Sequence, residues 1–147
     1  MSIQRAGPGQ GSLWRRAVEA LVPEADRSGE LLSLEQAEAS LADERCYLLV
    51  ATVGDEPAGL LSAFRFPDVE CGGARVYPYN IEVRPSSRRQ GIGATLVSHL
   101  IALCDDDDVD LIWAGTDVAN TAARRTFEAT GGALEGESYA EYEWDRE

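Results

Sequence analysis

At 147 residues the chain has the length of one domain able to bury a core without disulfides or metals, and its 44% apolar and 27% charged content is that of a globular protein rather than a fibrous repeat or a disordered chain. A formal net charge of -13, with every basic residue an arginine, repels nucleic acid over most of the surface and attracts small polycations. No apolar run reaches the roughly 20 residues a membrane span needs, and MSIQRAGPGQ lacks the apolar core of a signal peptide, so the expected address is the cytoplasm, with neither membrane nor nucleic acid as partner.

In chain order, residues 1–12 are poor in apolar side chains and read as a loose leader, or the entry to the first element, of a single domain spanning 1–147. Leu13, Ala17, Val18 and Leu21 then recur at helical spacing behind Ser12, a candidate N-cap, and Pro23 stops that helix. Ser33 and Gln36 match a capping box for a second helix running to Asp43. CYLLVATV and LLSAFRF, separated by GDEPAG, predict a hairpin, and ARVYPYNIEV predicts a third strand in which Pro78 requires an edge, a bulge or a splay.

After the loop RPSSRRQGIG comes the apolar helix ATLVSHLIALC, ended by the run of aspartates. A buried strand VDLIWAG, a helix NTAARRTFEATGG and a final alternating strand SYAEYEW complete the prediction. The order is that of an α/β sheet of mixed direction containing one right-handed βαβ unit.

Cys46, Cys71 and Cys104 form no CxxC pair and have only His99 as a nitrogen partner, so they read as reduced thiols and no metal site is expected. His99 reads as an ordinary helical residue, Asp105 to Asp108 as a solvated helix end, and Trp113 as core. Arg124 and Arg125 either approach a phosphate-bearing ligand or offset the acidic surface.

The most specific feature is Arg88-Arg89-Gln90-Gly91-Ile92-Gly93, an RxxGxG/A pattern between a strand and a helix. Small residues there let backbone N–H groups approach an anion at the positive end of the helix, an arrangement that suits a pyrophosphate. YNIEVRPSSRRQGIGATLV resembles motif A of the GNAT superfamily of N-acetyltransferases, which binds the pyrophosphate of coenzyme A, and NTAARRTFEATGG resembles the motif that follows it.

The resemblance implies a GNAT fold, with a mixed, mostly antiparallel central sheet that carries a splayed parallel strand pair and is flanked by helices. It implies acetyl-CoA as the cofactor and direct transfer in a ternary complex. By position, Ile81 to Val83 would pair with the pantetheine amides, and Arg88, Arg89, Gln90, Gly91, Ile92, Gly93, Ala94 and Thr95 would hold the pyrophosphate. Asn120 would meet the arm, with Ala123, Arg124 and Phe127 on the helix it opens. Many members carry Tyr at the position of Phe127 as the acid for the CoA thiolate. Here the acid would be a water, Tyr139 or Tyr142, or none is needed, because a thiol ionising near about 8.5 leaves readily.

Acetyl transfer to an amine needs a base for the ammonium proton. Glu82 and Asn80 alternate on one strand; with Ile81 and Val83 inward, Glu82 faces the substrate cleft as candidate general base, directly or through a water, with Asn80 beside it. The alternative for Glu82 is an edge-strand carboxylate in solvent.

Within the superfamily YNIEV, RRQGI and the acidic alternating tail look most like the aminoglycoside 3-N-acetyltransferases, which carry Asp where this chain has Asn80. Independently of that resemblance, Glu135, Glu137, Glu141, Glu143, Asp145 and Glu147 crowd the tail, and period-2 spacing would place Glu141, Glu143 and Asp145 on one face toward a small polycationic amine. The rival for these charges is a solvent-facing strand guarded against edge pairing. Asp68, Glu70 and Tyr79 are further candidate acceptor contacts. A protein or polyamine acetyltransferase and a catalytically silent acetyl-CoA sensor stay open, as does a homodimer.

Overall fold

The computed structural model describes residues 1–136 and 139–146. Its elements are β1 (Ser2–Arg5), α1 (Gly11–Leu21), α2 (Leu34–Ala42), β2 (Cys46–Val53), β3 (Glu56–Pro67), β4 (Ala74–Val83), α3 (Ile92–Asp106), β5 (Leu111–Ile112) and α4 (Thr121–Ala129), with single 3-10 turns at Glu24–Asp26 and Pro85–Ser87. The strands make one sheet in chain order, antiparallel except for the parallel pair β4–β5. Among the described residues no helix is long and apolar enough to cross a membrane.

Strand alternation splits the interior into two layers. Tyr47, Leu49, Leu61 and Val76 pack on Ile92, Leu96, Leu100 and Cys104 of α3. On the other face Leu48, Val50 and Leu60 meet Trp14, Ala17 and Leu21 of α1 and Ala37 and Leu41 of α2. Each large side chain buried this way contributes about 1.5–3 kcal/mol. The capping box at Ser33 and Gln36 forms as the sequence predicts.

Four sequence expectations are corrected. Residues 2–5 are not part of a loose leader: they form the edge strand β1, paired with β2 from Ser2↔Thr52 to Arg5↔Leu49. Ladder hydrogen bonds, half-burial of Ile3 and the Arg5 guanidinium 4.2 Å from the centre of the Tyr47 ring hold it, and composition registers none of these. Ser12 does not cap α1, whose N-cap is Gln10. Instead the Glu38 carboxylate on α2 accepts from the Gly11 and Gly9 amides at 2.7 and 2.9 Å, a cap supplied across the fold. A Cβ at Gly11 would come within 2.6 Å of Glu38 Oε1, so a side chain there would displace the carboxylate from these amides.

The strand expected over VDLIWAG is paired only at Leu111 and Ile112, and Trp113 is 38% exposed against Phe66 and Tyr77 rather than in the core. The expected last strand does not form over residues 139–146, which are exposed and have no ladder partner among the described residues; Glu137, Ser138 and Glu147 lie outside those described. Alternating residue types set two faces, but a strand also needs a neighbouring edge, and β5, at two residues, offers little of one.

Candidate active site

The site is organised by one extra residue in β4. Ser62 pairs with Asn80 and Ala63 with Pro78, so Tyr79 is a bulge. Before it, the carbonyls of Ala74 and Val76 face β5, accepting from Asp110 and Trp113 at 2.9 and 3.2 Å. After it, Arg84 donates to Ala58 on β3 at 2.9 Å, so by alternation Glu82 and Asn80 also face β3. Ile81 and Val83 therefore turn their backbone groups to the edge that β5 has left. Beyond the bulge β4 and β5 are no longer paired, and the slot between them is edged by the backbone groups of these two residues.

The same parity sets the side chains. Ile81 and Val83 pack against the α3-side core, whereas Asn80 and Glu82 lie on the α1 side. Glu82 lines a recess of about 310 Å³ between the end of α1 and the start of the loop between β4 and α3, with Val22, Arg27 and Arg88 among its neighbours. Burial raises the Glu82 pKa above the usual carboxylate value; the Asn80 side chain lowers it, the charge of Asp26 adds to the rise, and Arg88 opposes it.

At the other end of the slot, Gly91 caps α3 in the left-handed conformation at φ 77°, and Arg89 precedes it at φ 66°. No side chain caps α3, so the first-turn amides of Ile92, Gly93 and Ala94 point outward without intrahelical partners. Thr95 bonds back to the Gly91 carbonyl through its own N–H and hydroxyl. Gln90 is exposed at the loop apex. Arg88 donates to the Val83 carbonyl at 3.3 Å, tying the loop to the strand. A Cβ at Gly59 would lie 2.8 Å from Ile92 and 3.3 Å from the Glu82 carbonyl, so glycine lets α3 begin this close to the sheet.

The third wall is α4. The Asn120 side-chain oxygen accepts from Ala123 N–H at 3.1 Å, which leaves its amide donors for a ligand. Arg124 turns to the Val118 carbonyl at 3.2 Å, and Phe127 packs against the α3-side core. Open strand edge, uncapped helix start and Asn120 together fit an extended amide-bearing arm that ends in a pyrophosphate.

Across the sheet from α3 lies a larger cleft of about 490 Å³, lined by Asp26, Tyr77, Tyr79, Asn80, Gly115, Thr116, Asp117, Tyr139 and Glu141. Three of these residues are acidic and none is basic. Of the acceptor contacts expected from sequence, Tyr79 and Glu141 meet here, together with Asn80, expected as the partner of Glu82 in catalysis; Glu143 and Asp145 are exposed on the tail outside the lining. Asp68 and Glu70 also stand apart: Asp68 binds Arg75 at 3.0 Å and the amides of Glu70 and Cys71, tying down its own loop. Sequence reading missed Asp26, Tyr77, Gly115 and Asp117. Asp117, three residues before the motif Asn120, carried a usable signal, while Asp26 lies in the link between α1 and α2 and reaches the cleft only through the fold.

The sequence profile of the acetyltransferase (GNAT) family matches residues 13–132. The chain belongs to that family. Its fold is the GNAT fold, and similar folds occur in solved structures of low identity. An aminoglycoside acetyltransferase from an uncultured soil metagenomic sample, solved with sisomicin, is 17% identical, with 99% of this chain and 96% of that one covered at a TM-score of 0.87. An aminoglycoside antibiotic 6'-N-acetyltransferase of Acinetobacter haemolyticus is 17% identical, with both chains covered in full at 0.73. The ribosomal-protein-alanine N-acetyltransferase of Brucella melitensis biovar Abortus 2308 is 17% identical over 97% and 99% at 0.72. A GNAT chain is an acetyl-transferring enzyme, and acetyl-CoA is the cofactor its family generally uses.

Proposed function

We propose that this GNAT enzyme acetylates an amine of a small polycationic acceptor, an aminoglycoside, with the 3-amino group as the position that the YNIEV and RRQGI resemblance implies. The observation that carries the reading is the charge of the acceptor-side cleft: Asp26, Asp117 and Glu141 converge there with no cation in the lining. Carboxylates on several sides of one cleft orient several ammonium groups at once and raise their local concentration. Neighbours of this fold that act on aminoglycosides support the same class.

Acetyl-CoA supplies the activated acetyl group. Residues 88 to 95 receive its pyrophosphate, Ile81 and Val83 pair with its arm, and Asn120 donates to it. Glu82 takes the ammonium proton through a water, because its carboxylate occupies the recess beside the cleft while Asn80, two residues earlier, lines the cleft itself. Asn80 orients that water and the incoming amine. The raised pKa of Glu82 brings its basicity closer to the amine it serves.

A panel of gentamicin-like aminoglycosides, spermidine and alanine-terminated peptides tests the reading, with product positions assigned by NMR. Turnover confined to aminoglycosides is the expected result. Brisk peptide turnover with none of aminoglycosides removes the substrate class, and acetylation at another amine removes the regiochemistry. Binding of acetyl-CoA with no turnover of any amine makes the chain a sensor.

A further inference from the structure

Phe127 stands where a proton donor to sulfur is commonly found, and it packs into the α3-side core with no proton to give. The opposite side of the slot carries phenols instead. Tyr77 sits one residue beyond Val76, the last β4 residue bonded to β5, and its hydroxyl would lie 3.4 Å from a Cβ at Gly115, with the Tyr139 hydroxyl 3.8 Å from the same point. Two hydroxyls thus converge on a glycine just past β5, where the strands part.

The direction of the slot fixes what arrives there. Its Val83 end adjoins the phosphate loop, since a Cβ at Gly93 would touch Val83 and Arg88 bonds the Val83 carbonyl. An arm anchored by its pyrophosphate at that end would run along Val83 and Ile81 and present its sulfur toward the other end, at Tyr79 and Gly115. We infer that Tyr77 is a catalytic residue that protonates the departing thiolate, in place of the phenol that α4 lacks. The inference rests on the acetyl-transfer reading.

Tyr77 is the better placed of the phenols. It is half-buried on a strand with its ring 5.1 Å from that of Trp113, and no acceptor among the described residues takes its hydroxyl proton. Tyr139 is 68% exposed and turns its hydroxyl to Glu141 at 3.4 Å, while Tyr142 pairs with Trp144 outside the cleft. In the step, the amine nitrogen bonds to the acetyl carbon, the carbon–sulfur bond breaks with its electron pair going to sulfur, and Tyr77 gives sulfur its proton. The ammonium proton passes to Glu82 and on to solvent before attack, and the second proton that nitrogen loses as the carbon–nitrogen bond forms follows the same route. Solvent returns one of the two to the Tyr77 phenolate, so each cycle releases one proton and needs no oxidant or reductant.

The test compares the unaltered protein with Tyr77→Phe and Tyr139→Phe, since Tyr77→Phe keeps the ring against Trp113. The ionisation of the thiol of bound CoA is followed by thiolate absorbance against pH, alongside the pH profile of kcat. A phenol donating to sulfur stabilises the thiolate, so in Tyr77→Phe the bound thiol should ionise at least about tenfold less readily. There kcat should fall about 10- to 10²-fold, a modest loss because a thiol is already a good leaving group. Unchanged thiol ionisation and unchanged kcat in Tyr77→Phe overturn the assignment, as does finding both effects in Tyr139→Phe instead. If the unaltered chain turns over no amine, the acetyl-transfer reading falls, and thiol ionisation alone decides whether Tyr77 meets the sulfur.

Discussion

Glu82 and Leu60 are register partners on β4 and β3, so a carboxylate shares a sheet face with a leucine that is 1% exposed. The apolar surroundings that raise the Glu82 pKa also set the sign of its effect on stability. A carboxyl whose folded pKa lies above its unfolded value contributes stability that is fully present below the unfolded pKa and lost as pH rises through the folded one. Glu82→Gln should therefore melt higher than the unaltered protein at about pH 8, with the gain shrinking toward about pH 4, as thermal denaturation across pH would show. Its turnover should fall by about 10²- to 10⁴-fold with acetyl-CoA affinity intact. Equal melting curves at every pH would place the carboxylate in solvent.

Gly91 has nothing within 4 Å of its missing Cβ, so a substitution there is opposed by φ alone. Gly91→Val should cost at least about 1–2 kcal/mol and tilt the amides of residues 91–94, abolishing acetyl-CoA binding in calorimetry. Gly91→Asn, whose side chain tolerates the left-handed region, should keep more of both stability and affinity. Equal affinity in the Val variant would move the phosphate site elsewhere.

Tail carboxylates should divide by position rather than by charge. Glu141→Gln and Asp117→Asn should raise KM for a polycationic acceptor several-fold, whereas Glu143→Gln and Asp145→Asn should change it little, since only the first two line the cleft. Added salt should raise KM for the unaltered enzyme as the Debye length falls from about 10 Å at 0.1 M toward about 3 Å at 1 M. Equal effects at all four positions would mean that the tail acts as a diffuse field.

Glu38 caps α1 from α2, and the two amides it accepts belong to Gly9 and Gly11. Glu38→Ala should cost about 1–3 kcal/mol in denaturant unfolding and leave acetyl-CoA affinity intact, because the phosphate loop lies at the far end of the fold's other helical layer. A loss of affinity matching the loss of stability would couple the two layers.

The starts of α3 and α4 were legible in the sequence because their determinants are local: Gly91, the apolar run after it, and Asn120 as the opening of α4 each act within a turn of their own position. The mixed sheet followed from the order of its elements, and Pro78 announced a defect in β4. The acceptor side was less legible. Asp26, Tyr77 and Asp117 come from three separate segments, and nothing in their neighbours says that they meet. β1 escaped notice because an edge strand of four residues is held by ladder bonds more than by apolar content. The tail misled because alternation describes a strand's faces and says nothing of whether a partner edge exists.

The bulge at Tyr79 also governs how the enzyme can change. Removing one residue between Tyr77 and Ile81 would exchange the environments of Ile81 and Glu82, driving a carboxylate into the apolar interior and turning the backbone groups that line the slot toward β3, so length there is closed to drift. Substitution of side chains on the acidic-cleft side carries no such penalty, since those of Tyr79, Asp117 and Glu141 are exposed and belong to neither core cluster. A library for altering acceptor choice should accordingly randomise Asp26, Tyr79, Asp117 and Glu141 and hold the spacing from 77 to 84 fixed. Variants from it are expected to keep the cofactor half of the reaction while exploring new amines.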